Sequence, residues 1–198
     1  MPGPAALRIL RATDRTAVPW KNGGGVTREI AARPEGGGTE DFDWRISLAE
    51  VAADGPFSEF PGVDRTLTLA EGAGMELTVD GVRRRVDERY APCDFPGDRP
   101  TDGRLLDGPV VNFNVMYRRG RARAHTAIVR GELTLAIPPE TTLLVVALDG
   151  PARLDHPGGA VALGPYDAAL LEAPQAPCRL RTAGRTAVVT LRTSSTRD

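Results

Sequence analysis

The chain contains a single lysine. Of its 25 Lys and Arg residues the other 24 are arginine. A drift toward Arg accounts for that bias but not for the exception, Lys21, which sits in "PWKNGGGVTREIA", residues 19–31. Histidine is almost as scarce. His125 and His156 are the only two, with no HxH or HxxxH pair, so a zinc or iron ligand set cannot be assembled at a recognisable spacing and no metal is expected. Cys93 and Cys178 lie outside any CxxC; no disulfide framework is visible, and a reduced cytoplasmic setting fits better. There is no GxSxG, and "NGGGVTRE" lacks both the Gly-Lys-Ser/Thr of a Walker A loop and the spacing of GxGxxG. No window is long and apolar enough to span a membrane, and "MPGPAALRILRATD" holds no secretory core. A soluble cytoplasmic protein is the expectation. The net charge of −1 gives no reason to expect nucleic acid or an anionic membrane as partner. The basic pieces "VRRRV" and "YRRGRAR" read as solvated strand faces and turns.

What the chain does have is punctuation. Its 22 glycines and 17 prolines are spread along the whole length, which predicts many short elements separated by turns. Trp44, Ile46 and Leu48 alternate with Arg45, Ser47 and Ala49, the pattern of a half-buried strand. "RTLTLAEGAGMELTVDGVRRRV" reads as three strands, with Asp80-Gly81 as the hairpin turn between Met75–Val79 and Val82–Val86. "GELTLAI", "TTLLVVALDG", "AVALG", "DAALLEAP", "PCRLRT" and "TAVVTLRT" repeat the style, while "ATDRTAV" could open with one helical turn capped by Thr13 or Asp14. The fold class is all-β, with jelly-roll barrels the favoured form. The best internal boundary lies near "MYRRGRARAH", residues 117–125.

Against this pattern a set of polar residues occupies strand positions where burial is expected. Thr27 and Glu29 share one face, and Arg45 and Ser47 another. Arg65 begins an apolar strand just after Phe57, Phe60 and the Pro61-Gly62 turn. Asn112 and Asn114 alternate with Val111, Phe113 and Val115. Each has a bland explanation: Glu29 pairs with an Arg, and the Asn side chains satisfy strand-end backbone. Taken as a set they suggest a polar pocket in a barrel mouth.

Four motifs in order, "WKNGGGVTREI", "DWRISLAEV", "GPFSEFPGVDRTL" and "VVNFNVMYRRG", resemble the HutD/Ves family. The match in layout runs from about residue 10 to 190, with its specific motifs between residues 19 and 120. The resemblance implies two cupin-type jelly-roll barrels in tandem, a bicupin. The N-terminal barrel, residues 10–118, carries the motifs; the C-terminal barrel spans residues 119–193. It also implies a fold without the metal-binding histidines of enzymatic cupins. For the HutD branch it implies a link to histidine utilisation, where such a protein would bind urocanate, formylglutamate or a similar acid and restrain flux. No catalytic reaction comes with the family. The fourth motif usually reads Asp-x-Asn-x-Met, and here Asn112 replaces the carboxylate.

The expectation is therefore a non-enzymatic small-carboxylate binding protein with no cofactor, its homodimerisation left open. The expected ligand-binding residues are Lys21, Asn22, Gly24, Thr27, Glu29, Arg45, Ser47, Arg65, Asn112 and Asn114. Arg65 would hold the carboxylate bidentately, with Arg45 and Lys21 adding charge. Lys21 would line the pocket, with Glu29 or the bound acid as its partner; its bland alternative is a surface stem covering Trp20. Two other readings stand beside this one. The first is a metal-independent isomerase or hydrolase using Glu29 as acid or base. The second is a scaffold whose motif residues pack on one another. As purified, the protein is expected to hold substoichiometric zinc, iron, nickel and manganese, and chelator should leave its melting temperature unchanged. One metal per chain by elemental analysis, with stability lost on chelation, overturns this.

Overall fold

Short alternating runs broken by Gly and Pro give strands, and in the computed structural model the described residues form seventeen of them and no α-helix. The structure describes residues 7–36, 38, 41–136, 138, 140–172 and 176–194. Ile137, Ala173 and Pro174, at the ends of two of the expected runs, lie outside these. In chain order the first nine strands are β1 Leu7–Leu10, β2 Ala17–Pro19, β3 Gly25–Arg33, β4 Trp44–Val51, β5 Gly55–Pro56, β6 Val63–Glu71, β7 Met75–Val79, β8 Val82–Val86 and β9 Pro92–Pro96. The remainder are β10 Thr101–Leu105, β11 Val110–Arg118, β12 Ala122–Leu135, β13 Thr142–Asp149, β14 Ala152–His156, β15 Gly159–Leu163, β16 Ala168–Glu172 and β17 Cys178–Thr193.

The chain divides into two compact units. One comprises Arg15–Arg123 with Ser194; the other joins the described residues up to Asp14 to Ala124–Thr193. In the first, a six-stranded antiparallel sheet runs β2-β3-β4-β11-β6-β9 and a four-stranded one runs β5-β10-β7-β8. A single apolar cluster joins them. It draws Val51, Leu67, Leu69 and Phe95 from the larger sheet and Met75, Leu77, Val79 and Val86 from the smaller. Burying each such side chain stabilises by about 1.5–3 kcal/mol. Asp80 and Gly81 both take positive φ, 49° and 79°, as a two-residue hairpin of the expected kind requires. β8 is an edge strand, and its exposed Arg83, Arg84 and Arg85 discourage further pairing.

β4 departs from expectation. It is covered on both faces, with Trp44, Ile46 and Leu48 buried on one and Ser47 and Ala49 on the other. The reason is that its polar-patterned face looks into the space between the two sheets, toward the cluster just described, and not toward solvent.

The second unit is built on the sheet β1-β16-β13-β17-β14-β15, with β12 also on β17, over a core of residues such as Leu143, Leu154, Leu171 and Leu180. Two expected runs, "PCRLRT" and "TAVVTLRT", are one strand. β17 pairs with β14 along its first half and with β13 along its second. The exchange of partners occurs at Gly184, where a Cβ would stand 1.6 Å from the Asp149 carbonyl oxygen. The turn at Ala12–Asp14 is 3₁₀, and its cap is neither Thr13 nor Asp14. The Ala12 N–H donates to Asp167 Oδ1 at 2.8 Å, and Arg11 Nη1 donates to Asp167 Oδ2 at 2.7 Å.

Burial alone would raise the Asp167 pKa, but the Ala12 N–H, the Arg11 guanidinium and the Gly164 N–H together hold it below the usual carboxylate value. A carboxyl that titrates lower in the folded state stabilises fully above its unfolded pKa, and the gain fades as pH falls through the folded value. Asp167→Asn is therefore expected to cost about 1–3 kcal/mol at neutral pH. The gap between variant and wild type should close as the pH drops below 3.8 toward the folded pKa. Chemical denaturation across pH measures both, and a gap that widens in acid overturns the assignment.

Candidate functional site

Strand alternation and register place the polar residues in rows. Arg45, Met116 and Arg65 stand abreast on β4, β11 and β6; Ser47, Asn114 and Leu67 form the next row, and Ala49, Asn112 and Leu69 the third. β3 adds Glu29 beside Ser47 and Thr27 beside Ala49, while β9 adds Phe95 beside Arg65 and Cys93 beside Leu67. Side chains one residue apart alternate faces, so all of these share one face; Leu67, Leu69, Phe95 and Cys93 pack in the cluster shared with β7 and β8, while Met116 packs with Phe42 and Val63. Seven of the ten expected residues are thus brought together: Thr27, Glu29, Arg45, Ser47, Arg65, Asn112 and Asn114. Irregularities in pairing occur at Ile30 on β3 and Ala70 on β6, and bulges of this kind re-aim side chains next to them.

Arg65 is the unusual member. Only 8% of it is exposed, and among the described residues no carboxylate forms an ion pair with it. Its guanidinium lies 5.2 Å from the Phe57 ring, 5.8 Å from Phe60 and 5.2 Å from Phe95. One hydrogen bond, from Nη2 to Asn114 Oδ1, is long at 3.4 Å, and Nε is buried with no acceptor. Desolvation, with a smaller push from the neighbouring Arg45 charge, lowers its pKa well below the ordinary arginine value, to about 10. It remains a cation at neutral pH. Arg45 is itself compensated: its Nε donates to Glu29 Oε2 at 2.7 Å, a diagonal pair across β4 and β3.

Asn112 is wholly buried. Its Nδ2 donates to Met75 Sδ at 3.5 Å, and its Oδ1 has no donor.

The glycine run forms the turn before β3. Gly23 has φ +71°, and a Cβ on Gly25 would stand 2.3 Å from the Glu50 carbonyl oxygen and 3.3 Å from the Trp20 ring. Asn22 Oδ1 accepts from the Gly24 N–H at 3.0 Å, so Asn22 and Gly24 shape this turn. Trp20 is tied down by its indole N–H to Thr27 Oγ1, at 2.8 Å, and meets Phe57 edge-on at 6.4 Å between centroids. Lys21 is exposed and forms no ion pair among the described residues. The expected Lys21–Glu29 pairing is not formed, because the turn carries Lys21 outward and Arg45 takes the carboxylate.

Sequence reasoning missed Met75 and Phe95, which read as ordinary core until register sets Phe95 against Arg65 and Met75 Sδ against Asn112; it also missed Trp20, which supports the Phe57 ring that faces Arg65. Among the described residues no group of three or more His, Cys, Asp and Glu side chains converges. A shallow open depression on the other unit, lined by residues including Gly131, Arg153 and Arg181, contains none of the expected site residues.

A family model described as HutD matches residues 12–189. An uncharacterized 21.2 kDa protein in the hutC 3′ region of Pseudomonas putida is 36% identical over 186 residues, 93% of this chain and 97% of its own length. Protein Ves of Cronobacter sakazakii is 40% identical over 110 residues, 55% of this chain and 59% of that protein. The structure of HutD from Pseudomonas fluorescens SBW25, in a formate condition, superposes with a TM-score of 0.85 at 34% identity, covering 96% of this chain and all of that one. In fold alone, a cupin 2 conserved barrel domain protein from Leptotrichia buccalis matches with a TM-score of 0.56 at 13% identity, over 89% of this chain and 92% of that one.

The turn geometry sets an order of tolerance. Gly25→Ala is expected to destabilise by roughly 1–3 kcal/mol, because backbone must shift to admit the methyl group. Gly24→Ala should cost less, since its Cβ would meet only the Asn22 side chain, at 3.3 Å. Urea denaturation of both variants checks this, and the reverse order overturns it.

Proposed function

The chain belongs to the HutD/Ves family, and on that premise we propose that it is a binding protein, not an enzyme, which holds a small carboxylate at Arg65. The observation that carries the reading is a buried guanidinium with no carboxylate among the described residues to neutralise it. A guanidinium pKa lowered to about 10 corresponds to about 3 kcal/mol disfavouring the charged form. Proteins rarely bury a charge so incompletely paired unless something else completes it. A carboxylate does so well, because two parallel N–H···O bonds match the fork and would occupy the orphaned Nε. An anion there also relieves the repulsion between Arg65 and Arg45.

The three aromatic rings around Arg65 exclude water and strengthen that attraction. Glu29, the residue the enzymatic alternative depends on, is engaged by Arg45. The Pseudomonas putida relative in the hutC 3′ region supports a link to histidine utilisation; on this reading the protein acts in the cytoplasm to restrain flux, with urocanate or formylglutamate as ligand. The two units are read as tandem cupin-type barrels, the ligand belonging to the one formed by Arg15–Arg123.

Isothermal titration with formate, urocanate and formylglutamate tests the reading. Arg65→Lys is expected to weaken binding as much as Arg65→Ala, because a point charge cannot reproduce the fork. The loss should be about 1.5–3 kcal/mol in each, with the fold intact by circular dichroism. Unchanged titration in both variants returns Arg65 to a structural role. Consumption of a bound acid during long incubation would favour the isomerase or hydrolase reading instead.

A further inference from the structure

We infer that residues 57–60 form a gate over Arg65: their two aromatic rings shut the guanidinium in, and an anion reaches it when the segment swings outward. This rests on the carboxylate reading of Arg65 and concerns how that site is entered.

Two of the three rings against Arg65 come from one short stretch without regular structure. Phe57 and Phe60 lie between β5 and β6, whereas Phe95 is fixed within β9. Ser58 and Glu59, between them, are exposed, so the stretch turns its apolar side chains inward and its polar ones outward. With the rings in place only 8% of Arg65 is exposed, and its Nε is buried. Something must therefore move before an anion can meet that group. β6 and β9 are held by their ladders with β11 and with each other, which leaves the stretch carrying Phe57 and Phe60.

That stretch is tied lightly between firm ends. The Phe57 N–H donates to the Thr101 carbonyl and the Phe60 N–H to the Gly97 carbonyl, both at 2.8 Å. Just downstream, Arg118 Nη1 donates to the Pro61 carbonyl at 2.9 Å and the Arg119 N–H to the Gly62 carbonyl at 2.8 Å. Just upstream, Gly55 and Pro56 pair with Gly103 and Asp102 on β10. A short segment with few ties opens without unfolding its neighbours, and such lids govern entry to many binding sites.

The closed position has a built seat. A Cβ on Gly103 would stand 2.7 Å from Phe57 Cε1 and 3.1 Å from Met75 Cε, so the Phe57 ring occupies space that a side chain on β10 would fill. Gly97 does the same for the stem of Arg65: a Cβ there would stand 3.1 Å from both Cγ and Cδ. Trp20 meets the seated Phe57 ring edge-on, and Phe42 meets Phe60 at 6.2 Å between centroids. The cation–π contacts favour closure, because they partly compensate a charge removed from water.

Amide hydrogen exchange on the unliganded protein tests the gate first. The Phe57 and Phe60 N–H groups are expected to exchange together, about 100-fold or more faster than the amides of β6 and β11. Exchange in step with those strands overturns the inference. Gly103→Ala then biases the segment open, since the nearest contacts of the added methyl group are the ends of two side chains; circular dichroism should be unchanged. Phe57→Leu, which leaves β10 untouched, should act in the same direction. With formate as the probe, NMR line shapes give association and dissociation rates. Both are expected to rise about 10-fold in Gly103→Ala, the scale on which one overpacked methyl group acts. A rise in dissociation alone marks a damaged site and overturns the gate. Unchanged rates, with formate binding still lost in Arg65→Lys, reject the gate and keep the carboxylate site. Formate that binds Arg65→Lys as it binds wild type rejects the site, and the gate with it.

Discussion

A guanidinium taken out of water must have its charge and its five N–H donors answered by the protein or by a ligand, and the arrangement around Arg65 is organised by that requirement. Three phenyl rings stand within cation–π range, each contributing about 0.5–2 kcal/mol depending on how dry the contact is. Asn114 supplies one long hydrogen bond. The rings need support in turn. Phe57 rests against Trp20, Trp20 is held by Thr27, and the glycine turn lets the backbone pass close to Glu50 beside the Trp20 ring. The "WKNGGGVT" motif thus acts on the guanidinium through a chain of contacts and not through its lysine.

Nothing in the structure explains why Lys21 was not replaced by arginine. It lies exposed at the turn, and its compactness relieves no crowding there. The information in the motif resides in the residues around it. Gly23 and Gly25 are constrained by φ and by close approach, and Trp20 and Thr27 by their hydrogen bond.

Much of the fold was legible because its signals are local. The Asp80-Gly81 turn, the alternation of Met75, Leu77 and Val79, and the polar positions on β3, β4, β6 and β11 each depend on residues within reach of one another along the chain. Period two alone paired Thr27 with Glu29, Arg45 with Ser47 and Asn112 with Asn114, whereas bringing these pairs and Arg65 onto one face depends on strand order and register. What stayed hidden depends on distant partners. The cap of the Ala12–Asp14 turn comes from Asp167, Glu29 is taken by Arg45 from the next strand, and β17 runs unbroken because Asp149 passes close to Gly184. Phe95 carried no functional signal, since a phenylalanine in a strand is ordinary core until its register beside Arg65 is known. The burial of both faces of β4 was likewise invisible, because alternation tells how the faces differ and not what covers them.

The placement of β1 has a consequence for the order of events during synthesis. Leu7–Leu10 pairs with Ala168–Leu171, so β1, once made, must wait until β16 has been synthesised. The unit formed by Arg15–Arg123 has all its sheet partners early and can fold while translation continues. Over that interval β1 offers Leu7, Ile9 and its unpaired backbone to any other nascent chain, the kind of exposure that favours mispairing. Closing so long a loop is entropically slow. Within its own unit, β1 thus completes its pairing only after synthesis has supplied an edge that did not exist when the strand was made.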